Sequence, residues 1–157
     1  MEYKSSVSNP MLVGAIQILK AEDTPEHRSL FLSEAVKAQF LAPALISPLP
    51  AADEKGLVRL TPENKIQFPL LTAPDTKRYF LAFSDPIELG EWKPGQEYQT
   101  VALTFDEYAS MLLRKDSPGS GLVVNPCGAN LVLSREVVAA VMARRLAARD
   151  RKPPAGQ

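Results

Sequence analysis

Apolar positions along the chain change their spacing several times, and each change predicts an element. Leu12, Ile16 and Leu19 recur at helical intervals behind Asn9-Pro10, a capping residue followed by a proline suited to a first turn. That pattern predicts a helix over Pro10–Ala21. Thr24-Pro25 repeats the start signal, with Glu26 in the positive first turn, and Leu30, Phe31 and Ala35 carry a second helix to Gln39. So short a connection makes the pair an αα-hairpin. The period then shortens. "FLAPALIS", residues 40–47, reads as a strand that Pro43 confines to an edge or a bulge. "PLPAADEK" is a loop. "GLVRL", "KIQFPLLT" and "KRYFLAFS" read as three strands divided by "TPEN" and "APDT", which predicts an antiparallel meander. Ile66, Phe68 and Leu70 alternate with polar neighbours, giving the middle strand one buried face, while Pro69 leaves its neighbouring edge incomplete.

Helical signals return in "SDPIELGEW", where a Ser84 cap and Pro86 predict a short helix. "TVALTF" is a further strand. Thr104 and Glu107 have the spacing of a capping box, and Tyr108, Met111 and Leu112 give the helix behind them an apolar stripe. "LVVN" and "NLVL" are strands joined by the turn "PCGA". Ser134 caps a last helix in which Val137, Val138, Val141, Met142 and Leu146 line one broad face. The strand–helix–strand passage over residues 101–124 is expected to be a right-handed parallel crossover. These elements define an α+β fold: a mixed, largely antiparallel sheet with an N-terminal helical hairpin and a C-terminal helix packed on it. One domain is expected over residues 1–150, followed by a disordered tail, "RKPPAGQ", over 151–157.

Composition narrows the function classes. A chain of 157 residues is long enough to bury roughly two thirds of its unfolded surface. Eighteen basic side chains balance eighteen acidic ones, which argues against a nucleic-acid binder. The basic run Arg144, Arg145, Arg149, Arg151, Lys152 reads as the wet face of a terminal helix. The apolar stretch over residues 11–19 is too short to span a bilayer and lacks a small-residue cleavage site, so no membrane partner is expected and the location is taken as cytoplasmic. One cysteine excludes an internal disulfide, and with His27 the only histidine, no zinc cage is expected.

No catalytic constellation emerges. Cys127 and His27 would be the nucleophile and base of a thiol enzyme, but they stand in distant segments without a supporting motif. "GSG", residues 119–121, follows a helix and enters a strand, the reverse of a phosphate loop. Asp53, Glu54 and Asp75 fall in separate loops, and Asp85, Glu88 and Glu91 read as the solvated face of one short helix. No cofactor and no metal are expected. Trp92 stands apart from the other aromatics, ending a helix before "KPG", where its ring reads either as a cap over the core or as an interface anchor.

"FPLLTAPDTKRYFLAFSD", "LTFDEYASMLL" and "GLVVNPCGANLVLSRE", in that order, together with the helical opening "NPMLVGAIQILKAEDTPEHRSLFLSEAVKAQFLAPAL", resemble the N-terminal domain of the SseB family, the enhanced serine sensitivity proteins. The resemblance covers residues 9–141. Its most diagnostic pieces are Asn125-Pro126 with Gly128 and Leu131, and the Phe83-Ser84-Asp85 segment. Longer members carry a second, C-terminal domain, for which no room is expected after Gln157, so an activity residing there does not carry over. The resemblance implies a turn framework around Cys127 that needs no sulfur chemistry.

The expected function is therefore a non-enzymatic, cytoplasmic interaction or regulatory module with a protein partner, homodimerisation being left open. The alternative is a sensing or binding domain for a small amino-acid-like ligand, with serine suggested by the family phenotype alone. Asp85, Trp92, Asn125 and Asn130 are the expected contact residues, polar caps beside one large aromatic, against the competing reading that all four only cap helices and turns. On the molecule's surface a flat exposed apolar patch is expected rather than a deep polar pocket.

Overall fold

The computed structural model describes residues 2–3, 7–47, 63 and 65–151. In chain order the elements are β1 (Glu2–Tyr3), α1 (Pro10–Ala21), α2 (Pro25–Ala35), β2 (Gln39–Ser47), β3 (Lys65–Gln67), β4 (Leu70–Thr72), β5 (Arg78–Ala82), α3 (Pro86–Gly90), β6 (Gln99–Thr104), α4 (Phe105–Leu112), β7 (Gly121–Val124), β8 (Leu131–Ser134) and α5 (Arg135–Arg151). The strand expected at "GLVRL", the preceding loop with Asp53 and Glu54, and the tail beyond Arg151 lie outside the described residues.

Strands form two four-stranded sheets, ordered β1-β6-β2-β3 and β4-β5-β7-β8. Every pairing is antiparallel except β5 with β7. An isolated bridge joins the sheets: Leu41 and Phe83 exchange backbone hydrogen bonds of 2.8 and 3.0 Å. Both sheets turn one face to the same core. Phe40, Ala42, Ala44, Ile46, Val101 and Leu103 come from the first, and Phe80, Ala82, Leu122, Val124 and Leu133 from the second. α1, α2, α4 and α5 cover that face with Leu12, Ile16, Leu19, Phe31, Phe105, Tyr108, Leu112 and Val138. The fold is α+β, with the helical hairpin and the C-terminal helix packed on one antiparallel and one mixed sheet. A second, smaller apolar cluster holds Val7, Leu41, Tyr79, Leu81, Phe83, Ala102 and Val123.

Local rules explain most boundaries. The Thr104–Glu107 capping box is present in both directions, Thr104 Oγ1 accepting from the Glu107 amide and Glu107 Oε1 accepting from the Thr104 amide. Ser134 Oγ accepts from the Val137 amide at 3.2 Å and caps α5. Buried Tyr108 satisfies its hydroxyl by donating to the Leu81 carbonyl at 2.7 Å, and burial pushes its pKa well above the ordinary phenol value.

Several expectations need correction. α2 stops at Ala35 rather than Gln39, because Gln39 already pairs with Thr104 as the first residue of β2. β2 is an interior strand between β6 and β3, not the edge that Pro43 suggested. Leu41 directs its backbone groups to Phe83, and two residues on, Pro43 points the same way. Its missing N–H thus falls between that bridge and the first β3 pair at Leu45, where no ladder bond is needed. "KIQFPLLT" is two strands, not one. β3 pairs with β2 and β4 with β5, so Phe68-Pro69 carries the chain from one sheet to the other. The crossover expected between residues 101 and 124 does not exist as such, since β6 and β7 lie in different sheets and β7 takes β5 as its parallel partner. The face expected along α5 is narrower: Val138 is buried, while Val137 and Leu146 are exposed and Arg145 pairs with Asp106 of α4. Among the described residues no helix is long and apolar enough to cross a membrane.

Candidate functional site

The parallel strands β5 and β7 end side by side, and the chain leaves the sheet after both. Ligands of parallel sheets gather at such carboxyl ends, where the connecting segments diverge. After β5 the chain runs through Ser84 and Asp85 into α3. After β7 it turns through residues 125–130 into β8, with Asn125 and Asn130 in the left-handed region at φ 52° and 53°. Asparagine tolerates that conformation better than most residues, which explains its place at both ends of the turn.

Asn125 locks the two exits together. Only 4% exposed, it accepts from the Ser84 amide at 2.9 Å and donates to Ser84 Oγ at 3.0 Å. Ser84 Oγ donates in turn to Asp85 Oδ2 at 2.9 Å, and Asp85 Oδ1 accepts from the Glu88 amide at 3.0 Å. The cap of α3 is therefore Asp85, not Ser84, whose hydroxyl instead relays Asn125 to Asp85. Asn9 joins the network from the other side, its Nδ2 donating to the Ser84 and Gln39 carbonyls at 2.7 Å each. It occupies the position before α1 without capping it through its side chain.

Outside this lock lies a cleft of about 290 Å³. Val13, Ile16, Gln17 and Lys20 of α1 form one wall, and Ile87 and Glu88 of α3 with Gly128 and Ala129 of the turn form the other. A Cβ at position 128 would run into the Glu88 carboxylate, so glycine lets α3 lay that carboxylate against the turn. Burial pushes the Glu88 pKa up, the negative charges of Asp85 and Glu91 add to the rise, and Lys20 offsets part of it. Among the described residues neither Glu88 nor Lys20 has a side-chain hydrogen bond or a salt bridge.

A raised folded pKa means that the native state holds this proton more tightly than the unfolded chain does. The stabilisation is complete below the unfolded glutamate pKa and is lost as pH rises through the folded value. Glu88→Gln, neutral throughout, is expected to melt higher than the native protein at pH 7, with the difference vanishing below a pH of about 4. Melting curves across that range check it, and a pH-independent difference would refute it.

Of the four residues singled out from sequence, Asp85 and Asn125 meet through Ser84. Asn130 is exposed at the far end of the same turn, its amide bonded to the Asn125 carbonyl at 2.8 Å. Trp92 is half-buried elsewhere, stacked at tilted angles 5.9 Å from Phe83 and 5.3 Å from Tyr98, against the second apolar cluster. Sequence reasoning missed Gln17, Lys20, Ile87 and Gly128, and it dismissed Glu88 as solvated. The signal was present in part: Val13, Gln17 and Lys20 share one flank of α1 at helical spacing. Cys127 is exposed on the turn, His27 Nδ1 is bonded to the Glu22 carbonyl at 2.5 Å, and among the described residues no hydrogen bond links Cys127 to His27. Among the described residues no three His, Cys, Asp or Glu side chains group as metal ligands.

Helices packed over two bridged sheets, with two strand exits locked at a cleft, define a small α+β domain organised around its turn after β7. The chain belongs to the family of the SseB protein N-terminal domain, whose sequence profile matches residues 12–140, from the first turn of α1 into α5. No curated protein and no solved structure matches the chain.

Proposed function

We propose that this protein is a non-enzymatic interaction or regulatory module of the cytoplasm, with a protein as its partner. The observation that carries the reading is Ile87, 77% exposed on α3 beside the hydrogen-bonded turn. A large aliphatic side chain held in water next to a rigid polar rim of Asp85, Asn125 and Asn130 suits a small interface. Trp92, two residues beyond α3, supplies a half-buried aromatic near the same helix. The cytoplasmic part of the reading is supported by α1: the apolar stretch that resembles a leader's core instead buries Leu12, Ala15, Ile16 and Leu19 inside the domain.

Ile87→Asp separates contact from structure, since it touches a side chain the fold barely uses. Its melting temperature should stay within about 2 °C of the native value. Proteins retained by the immobilised native chain should be lost from the Ile87→Asp chain, and sedimentation of both reports any homodimer. An identical retained set and an identical association state would overturn the interaction reading.

A second reading, a domain that binds or senses a small amino-acid-like molecule, is favoured by the cleft itself. A ligand at a hundred times its Kd would stabilise the chain by roughly 2.7 kcal/mol, visible as a thermal shift.

A further inference from the structure

We infer that the cleft at the carboxyl ends of β5 and β7 binds a small zwitterion, its ammonium on Glu88 and its carboxylate on Lys20. The inference rests on the second reading above and assigns the chemistry of that site.

Opposite charges line the cleft close enough to act on each other, yet they form no direct ion pair. Lys20 rises from α1 and Glu88 from α3, both line the cleft, and no salt bridge joins them. Asp85 is the poorer cation acceptor, because Ser84 Oγ and the Glu88 amide already take one acceptor site on each of its oxygens. Among the described residues Glu88 has no such commitment, and its half-buried side chain lies against Gly128 and lines the cleft. Asn125 is held by Ser84, which leaves Gln17 as the adjustable amide of the lining. Val13, Ile16 and Ala129 provide apolar surface for a short body.

Electrostatics selects among ligand classes. A simple cation satisfies Glu88 but meets the ammonium of Lys20, and a simple anion satisfies Lys20 but meets Glu88. Only a ligand carrying both charges relieves both walls. Size selects further. At about 290 Å³ the cleft has room for roughly ten waters at their liquid volume, just under the usual range for ligand pockets. A compact molecule of a few heavy atoms fits within such a volume.

Alanine is the probe, with n-propylamine and propionate as its singly charged halves, titrated into the full chain while the Gly128 and Ala129 amides are followed by NMR. Alanine should shift both amides saturably, and neither half should do so at the same concentration. Glu88→Gln and Lys20→Gln should each weaken alanine binding about tenfold or more, the scale of one charge-assisted hydrogen bond. Both variants keep the fold's own hydrogen bonds, and their melting curves confirm that they are folded. Saturable binding of one half as tight as that of alanine, or alanine binding unchanged in both variants, overturns the zwitterion assignment while the small-molecule reading stands. No saturable shift with alanine, glycine, 4-aminobutyrate or either half overturns both.

Discussion

Phe40→Ala is expected to destabilise the protein by about 3–5 kcal/mol, the range for removing a buried aromatic ring. Phe40 is fully buried on β2, and its ring meets Tyr108 edge-on at 5.9 Å and 80°. Truncation removes the ring's own burial and the aromatic pairing, worth roughly 0.5–1.5 kcal/mol beyond area. It also opens a void where β2, β6 and α4 converge, and an interior strand flanked on both edges cannot shift to fill it. Urea unfolding checks the figure through the midpoint at constant slope. A loss below about 1.5 kcal/mol would show that the core collapses into the vacancy.

Asn125→Ala is expected to cost about 2–5 kcal/mol, for two separable reasons. The first is the lock: without the side chain, the Ser84 amide loses its acceptor in a place closed to water, and an orphaned buried donor costs about 1–3 kcal/mol. The second is the backbone at φ 52°, which disfavours alanine by roughly 1–2 kcal/mol. Asn125→Gly retains the loss of the lock but relieves the backbone, so it should recover about 1 kcal/mol over alanine. Asn130→Ala, with the same backbone sign but an exposed side chain, should lose only the backbone part. Equal losses at 125 and 130 would show that the hydrogen bonds to Ser84 contribute nothing.

Local signals carried much of this architecture. Pro10 and Pro25 with their preceding caps placed both hairpin helices, and Thr104 with Glu107 placed α4, because those rules act within one turn of chain. The failures share a different cause. Pro43 was assigned to an edge, yet whether a missing N–H matters depends on which neighbour lies on that side, and Phe83 is 40 residues away in sequence. Pro69 interrupts an unbroken apolar alternation, and only the partners of β3 and β4 reveal that the chain changes sheets there. Near the candidate site, the turn at Asn125 and the start of α3 were legible because turn and cap chemistry is local, although the cap was placed on Ser84 rather than Asp85. Their link through Ser84 was not, nor was the approach of Lys20 on α1 to Glu88 on α3, since both need the parallel pairing of β5 with β7. The turn reading of Cys127 agrees with its exposed place between the two asparagines.

The interleaving of the sheets governs how the chain survives damage. A single break in the segment between α3 and β6 would divide the strands of both sheets: β1, β2 and β3 would part from β6, and β4 and β5 from β7 and β8. Neither fragment owns a complete sheet, and each displays the apolar edge that the other is shaped to cover. A protease cut there would therefore leave a non-covalent pair held by both cores at once, rather than two independent pieces.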